Sequence, residues 1–189
     1  MIGTMHPAKR ATVSAGCSMV ALLLLAGCSD YREGTRPSRP AAAVPAHCAS
    51  SAAELPTSDD WGRMVGPGRV PDDFVAVGVI HCTWDGRYLD DAAKRSEITV
   101  REKRAPSVSP ALSASLKLPD QEFARSSNLA CSAVGRAPQY LVLVDASGLA
   151  VMPWLPETPC GDARDEVAEA LAGTPWTEGA TYAFESTRI

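Results

Sequence analysis

Apolar positions are spaced unevenly along the chain, and the changes in spacing mark its elements. The densest run, residues 19–25 (MVALLLL), is uncharged and stops at Ala26-Gly27-Cys28, after which Ser29 and Asp30 are polar. Residues 29–47 (SDYREGTRPSRPAAAVPAH) hold three prolines, three arginines and almost no large apolar side chain. Such a stretch buries too little to offset the entropy of ordering it, and it reads as a disordered Pro/Arg-rich tether.

Beyond it the spacing becomes that of folded elements. Residues 74–82 (FVAVGVIHC) are a β-branched run suited to a buried strand, with Asp85-Gly86 supplying a turn after it. Residues 97–103 alternate: Ile98 and Val100 share one face, and Glu97, Thr99, Arg101 and Lys103 the other, which predicts a neighbouring strand. Ser109 followed by Pro110 is a helix start, Leu112 and Leu116 give a short helix its buried stripe, and Pro119 ends it. Residues 140–144 and 149–152 predict a hairpin across Asp145-Ala146-Ser147-Gly148, a type I turn closed by a left-handed glycine. Asp162 is placed to cap a second helix with Ala163, Val167, Ala170 and Leu171 inward and Arg164, Asp165, Glu166 and Glu169 outward; Gly173 and Pro175 stop it. Residues 181–185 add an edge strand. The order β-β-α-β-β-α-(β) predicts an α+β domain, a small and mainly antiparallel sheet with two helices on one face.

The N-terminal run changes the picture of where this domain resides. Lys9 and Arg10 precede a mostly apolar segment, residues 11–27, the layout of an export signal. As a helix it spans roughly 26 Å, marginal for a hydrocarbon core of about 30 Å, and Thr12, Ser14, Gly16 and Ser18 dilute it. Leu25-Ala26-Gly27-Cys28 resembles the lipobox of bacterial lipoproteins. The resemblance implies cleavage before Cys28 and attachment of lipid to its sulfur, and two or more acyl chains hold a protein stably on a bilayer. The expected organisation is a lipoprotein signal peptide at 1–27, a lipidated cysteine and tether at 28–47, and a single domain at 48–189. The expected location is the outer face of the cytoplasmic membrane, with the membrane itself as one partner.

Composition then narrows the chemistry. The net charge is −4, and the signal contains two of the bases and none of the acids, so the remainder is more acidic still. That argues against a nucleic-acid surface. Aromatic residues are only 6%, leaving the core to Val, Leu, Ile and Ala. With Cys17 lost in the signal and Cys28 acylated, Cys48, Cys82, Cys131 and Cys160 remain. An even count in an oxidising exterior reads as two disulfides with three possible connectivities, of which Cys48–Cys82 and Cys131–Cys160 join neighbouring elements. Loops of roughly 30–35 residues contribute about 3–4 kcal/mol apiece in the chain-entropy account.

From Ala130 onward, Cys131, residues 140–144, Asp145 to Gly148, Cys160-Gly161, residues 167–171 and Trp176 resemble the C-terminal pattern of an uncharacterised actinobacterial exported lipoprotein family. Cys48 and Cys82 fit a second pair in that family. The resemblance implies a Cys131–Cys160 bridge and an envelope location; it implies no reaction.

Candidates for chemistry are few. His47-Cys48 and His81-Cys82 supply a Cys2His2 set suited to zinc or copper, but neighbours on a strand point to opposite faces, so His81 and Cys82 converge on one ion only with a bulge. Neither histidine heads a hydrolase motif, and Cys-x-x-Cys is absent. Asp59-Asp60, Asp72-Asp73 and Asp90-Asp91 read as solvated loop acids, and the Gly66 to Arg69 stretch (GPGR) lacks the Lys-Ser/Thr of a phosphate loop. Trp61, Trp84, Trp154 and Trp176 are candidates for core or for a binding groove, with prolines around Trp154 exposing that segment. The expectation is a non-catalytic binding module for an envelope protein or wall component, needing no cofactor. The alternative is a metal-binding protein using His47, Cys48, His81 and Cys82.

Overall fold

The structure, a computed structural model, describes residues 31–34, 38–58, 64–65, 67–90, 95–123, 131 and 138–186. Cys28 and the signal lie outside the described residues. Among those described, no helix is long and apolar enough to cross a membrane.

The fold is α+β, built on an antiparallel five-stranded sheet. Chain order gives β1 (Tyr31–Glu33), β2 (Thr57–Ser58), β3 (Met64–Val65), β4 (Ala76–Asp90), β5 (Arg95–Ala105), α1 (Pro110–Ser115), β6 (Gln121–Phe123), β7 (Gln139–Asp145), β8 (Ala150–Val151), α2 (Asp165–Ala172) and β9 (Thr177–Ser186). The sheet runs β8-β7-β4-β5-β9, while β1 pairs with β6 and β2 with β3. Strand β4 does not turn at Asp85-Gly86: these residues lie opposite Thr99 and Ile98 on β5, and pairing continues to Asp90 opposite Arg95. Cross-strand pairs Arg101–Asp85 and Arg87–Glu97 flank Gly86, and the ladder they support outweighs the local turn preference. The expected edge strand is present and longer than 181–185, as β9.

Alternation sorts the sheet's side chains into two clusters on opposite faces. Val79, Leu141 and Leu143 group with Leu112 of α1 and with Val167, Ala170 and Leu171 of α2. Ile80, Cys82, Ile98, Val100, Tyr140 and Val142 group with Cys48, against which Leu55, Tyr182 and Phe184 pack. Local signals work largely as expected. Ser109 Oγ accepts from Leu112 N at 3.1 Å to start α1. Asp145 Oδ1 accepts from Ser147 N at 2.8 Å and Leu149 N at 2.9 Å, and Gly148 sits at φ 86° to close the turn.

Helix α2 departs from expectation at its start. Arg164, not Asp162, is its N-cap residue, with no side-chain cap bond. Arg164 does not face outward either; it is only 4% exposed. Its Nη1 donates to Pro119 O at 2.8 Å and to Glu33 Oε2 at 3.1 Å, and its Nη2 to Glu166 Oε1 at 2.9 Å. The guanidinium is buried because its donors meet a carbonyl and two carboxylates, the condition under which a buried charge is tolerated.

Residues 38–47, expected in the tether, run along the domain instead. Ala41 is buried, Ala41 N donates to Arg69 O at 2.8 Å, and Val44 N donates to Ala150 O at 3.0 Å beside the bridge Ala43–Val151. Side-chain burial is small here, as the composition implies. Backbone pairing along the open edge of β8 supplies what side chains do not, and alanines permit the close approach.

Candidate functional site

The two His-Cys dipeptides are adjacent but form no ligand set. Cys48 and Cys82 are joined to each other, with Cα atoms 5.6 Å apart and both residues fully buried. The sulfurs that a metal would need are therefore consumed. His47 Nδ1 lies 2.7 Å from the Cys48 carbonyl oxygen, and its ring centroid is 6.5 Å from that of Tyr182. His81 turns the other way, 5.3 Å from the Trp176 ring, and its Nε2 donates to Gln139 Oε1 at 2.8 Å. Burial pushes the His81 pKa below the ordinary value, aided by the charge on Lys103, although the Gln139 bond opposes the shift. Among the described residues, no group of three or more His, Cys, Asp and Glu side chains is arranged to hold a metal ion. Cys131 and Cys160 form the second bridge, with Cα atoms 5.3 Å apart and Cys131 exposed.

A buried polar cluster secures residues 47–54 over the sheet. Glu102, only 2% exposed, accepts from Cys48 N at 2.9 Å and from Arg104 Nε at 2.6 Å. Arg101 pairs with Thr181 and Lys103 with Glu178, so Gly179 and Ala180 together oppose Glu102 in a bulge. Burial pushes the Glu102 pKa up, but Arg104 and the N–H groups of Cys48 and Ala180 outweigh it and hold the carboxyl below the ordinary value. Beside it, Tyr140 Oη accepts from Ala49 N at 2.7 Å, and burial raises the phenol to about 12. The sequence signal for Glu102 was the same alternation that placed Ile98 and Val100 inward: Glu102 falls on their face.

A cleft opens beside residues 67–76. It encloses about 470 Å³ and is walled by Val70, Phe74, Leu116, Leu143 and Trp154, with Arg69, Asp72 and Lys117 also lining it. Three extended segments build one side. Gly68 N donates to Met152 O at 3.1 Å, Trp154 N donates to Gly68 O at 2.8 Å, and Arg69 N donates to Arg39 O at 2.9 Å. A Cβ at Gly68 would stand 2.5 Å from Pro40 O, so glycine is what lets the segments close up. Trp154 Nε1 donates to Asp120 Oδ1 at 2.8 Å, which fixes the indole. The prolines next to Trp154 do not expose that segment: Pro153 and Pro156 are fully buried, Leu155 is buried, and Trp154 is mostly covered.

The other candidates disperse. Trp84 packs 5.7 Å from Tyr140, and Trp176 Nε1 donates to Leu171 O at 2.8 Å, so both serve packing. Asp72 and Asp73 are exposed in a turn after Pro71. Gly68 and Arg69 lie in bridges with no helix after them. Asp59, Asp60, Trp61 and Asp91 lie outside the described residues, as do the side chain of Asp90 and Gly66. Sequence reasoning missed the cleft itself; its only local trace was the run of apolar and proline residues at 67–76.

Fold and site together define a disulfide-stapled α+β domain with an apolar-walled cleft of ligand size among its described residues. Compared with protein-family models, curated proteins and solved structures, the chain finds no match.

Proposed function

We propose that the protein is a lipid-anchored binding module, held on the outer face of the cytoplasmic membrane through Cys28, which captures an envelope component in the 67–76 cleft without catalysis. The observation that carries this reading is the cleft: its walls are apolar side chains, and its charged groups are the few at Arg69, Asp72 and Lys117. That is the make-up of a ligand site. Among the described residues, the titratable groups with shifted pKa values, Glu54, His81, Glu102, Tyr140, Asp145, Arg164 and Glu166, do not line it. The export signal, the Leu25-Ala26-Gly27-Cys28 sequence and two disulfides support an oxidising, membrane-anchored setting.

Two measurements test it. Cys28→Ser in the full chain should abolish lipid attachment and cleavage before residue 28; unchanged processing and membrane retention would overturn the anchor. The chain from Ser29 onward, which contains every described contact, should retain envelope extracts' components on a column without turning any over. Metal-independent turnover of a substrate would overturn the binding-only reading.

A further inference from the structure

The charges around the cleft are not distributed like those elsewhere on the molecule. Across the sheet the bases are answered: Arg87 pairs with Glu97, Arg95 with Glu185, Arg101 with Asp85, Lys103 with Glu178 and Arg104 with Glu102. Away from the sheet, Arg32 pairs with Glu122, and Arg164 with Glu33 and Glu166. The arginines and lysines among the described residues that have no carboxylate partner are Arg39, Arg69 and Lys117. All three are exposed. Two of them line the cleft, and Arg39 is joined to Arg69 through the backbone bond from Arg69 N to Arg39 O. The Arg39 guanidinium makes only a long contact, 3.4 Å, to Pro67 O. Among the described residues Asp72 is the one acid lining the cleft, so that lining is net positive in a chain whose net charge is −4.

We infer that the cleft takes a single-chain anionic amphiphile, its apolar body between Phe74, Leu116, Leu143 and Trp154 and its headgroup at Arg69 and Lys117; this rests on the binding reading above. The volume of about 470 Å³ suits a small ligand, well below what a folded partner needs. The apolar walls provide the hydrophobic contribution, which has no preference for headgroup sign. The sign comes from the two cations, which have no acid of their own to satisfy and which draw an anion toward a low-dielectric wall. Trp154 reinforces the division of labour. Its N–H is taken by Asp120, so the indole presents its ring rather than a polar edge.

The test uses the chain from Ser29 onward with its disulfides intact, and three ten-carbon probes below their micellar concentrations: decanoate, decanol and decyltrimethylammonium. Calorimetry in low salt is expected to rank decanoate first, with decanol about tenfold weaker, the scale of one or two ion pairs at a partly exposed site. The double variant Arg69→Glu/Lys117→Glu changes only exposed side chains and should abolish the decanoate preference while leaving decanol unchanged. Ser113→Trp, at an exposed helix position lining the cleft, should block all three. Equal binding of all three probes, or decanoate binding that survives the double charge reversal, overturns the headgroup assignment while leaving the binding reading intact. No binding of any probe defeats both. Adsorption to anionic vesicles through Arg69 and Lys117 with no uptake of monomeric decanoate also overturns the proposal, making this face a membrane-facing surface instead.

Discussion

Glu102 is the residue on which the attachment of residues 47–54 should depend most. Replacing it with leucine keeps a side chain of similar length but removes the acceptor used by Cys48 N and Ala180 N. Cys48 is fully buried, so its N–H has no route to water. Each buried donor left without a partner costs about 1–3 kcal/mol. The leucine recovers about 1–2 kcal/mol by burying more apolar surface. Arg104, with its side chain 49% exposed, returns to solvent at little cost. Two donors at the middle of that range, less the leucine's recovery, leave a net loss centred on about 2–3 kcal/mol, read as a drop in the urea midpoint with an unchanged slope. Arg104→Leu should also destabilise, because it leaves the buried carboxylate without its cation even though both N–H donors stay satisfied.

Acid titration gives an independent check on the same residue. The folded Glu102 pKa is depressed, so the unfolded chain binds the proton more readily. Its contribution is therefore complete above the unfolded value of about 4.3 and is lost as pH falls through the folded value. The difference between the native chain and Glu102→Leu should shrink over that window. A loss below about 1 kcal/mol for Glu102→Leu would refute the assignment of the carboxylate as the shared acceptor.

Other expectations are direct. Tyr140→Phe leaves Ala49 N–H without its 2.7 Å acceptor and should lower stability by about 1–2 kcal/mol, while ultraviolet titration of the native chain should find a tyrosine ionising at about 12. Gly68→Ala sets a Cβ against Pro40 O at 2.5 Å, so hydrogen exchange at Ala41 and Arg69 N–H should accelerate while β4 and β5 remain protected. His81, depressed by burial, should titrate below about 6.5 by NMR. Because its folded pKa is the lower one, stability is complete above the unfolded value and declines as pH falls toward the folded value; His81→Gln should remove that slope.

Much of the fold was written in short-range pattern. The stripe of Leu112, the turn from Asp145 to Gly148, the inward set Val167, Ala170 and Leu171, and the alternation at Ile98 and Val100 all appear where local periodicity put them, because which side of an element is apolar is a property of the element itself. The favoured cysteine pairing also holds. Periodicity is silent on what lies opposite. Arg164 looks like a surface residue until Glu33, 131 residues earlier, and Pro119 converge on it. Residues 38–47 look unfoldable until β8 offers an unpaired edge, and Asp85-Gly86 looks like a turn until β5 proves long enough to continue the ladder. The cleft belongs to the same class. Gly68, Phe74, Leu116 and Trp154 become one site only when their separate segments are packed. Sequence determines the character of each surface through its own side chains, whereas tertiary structure decides which surfaces meet, because partners for charge and backbone groups are supplied from far along the chain.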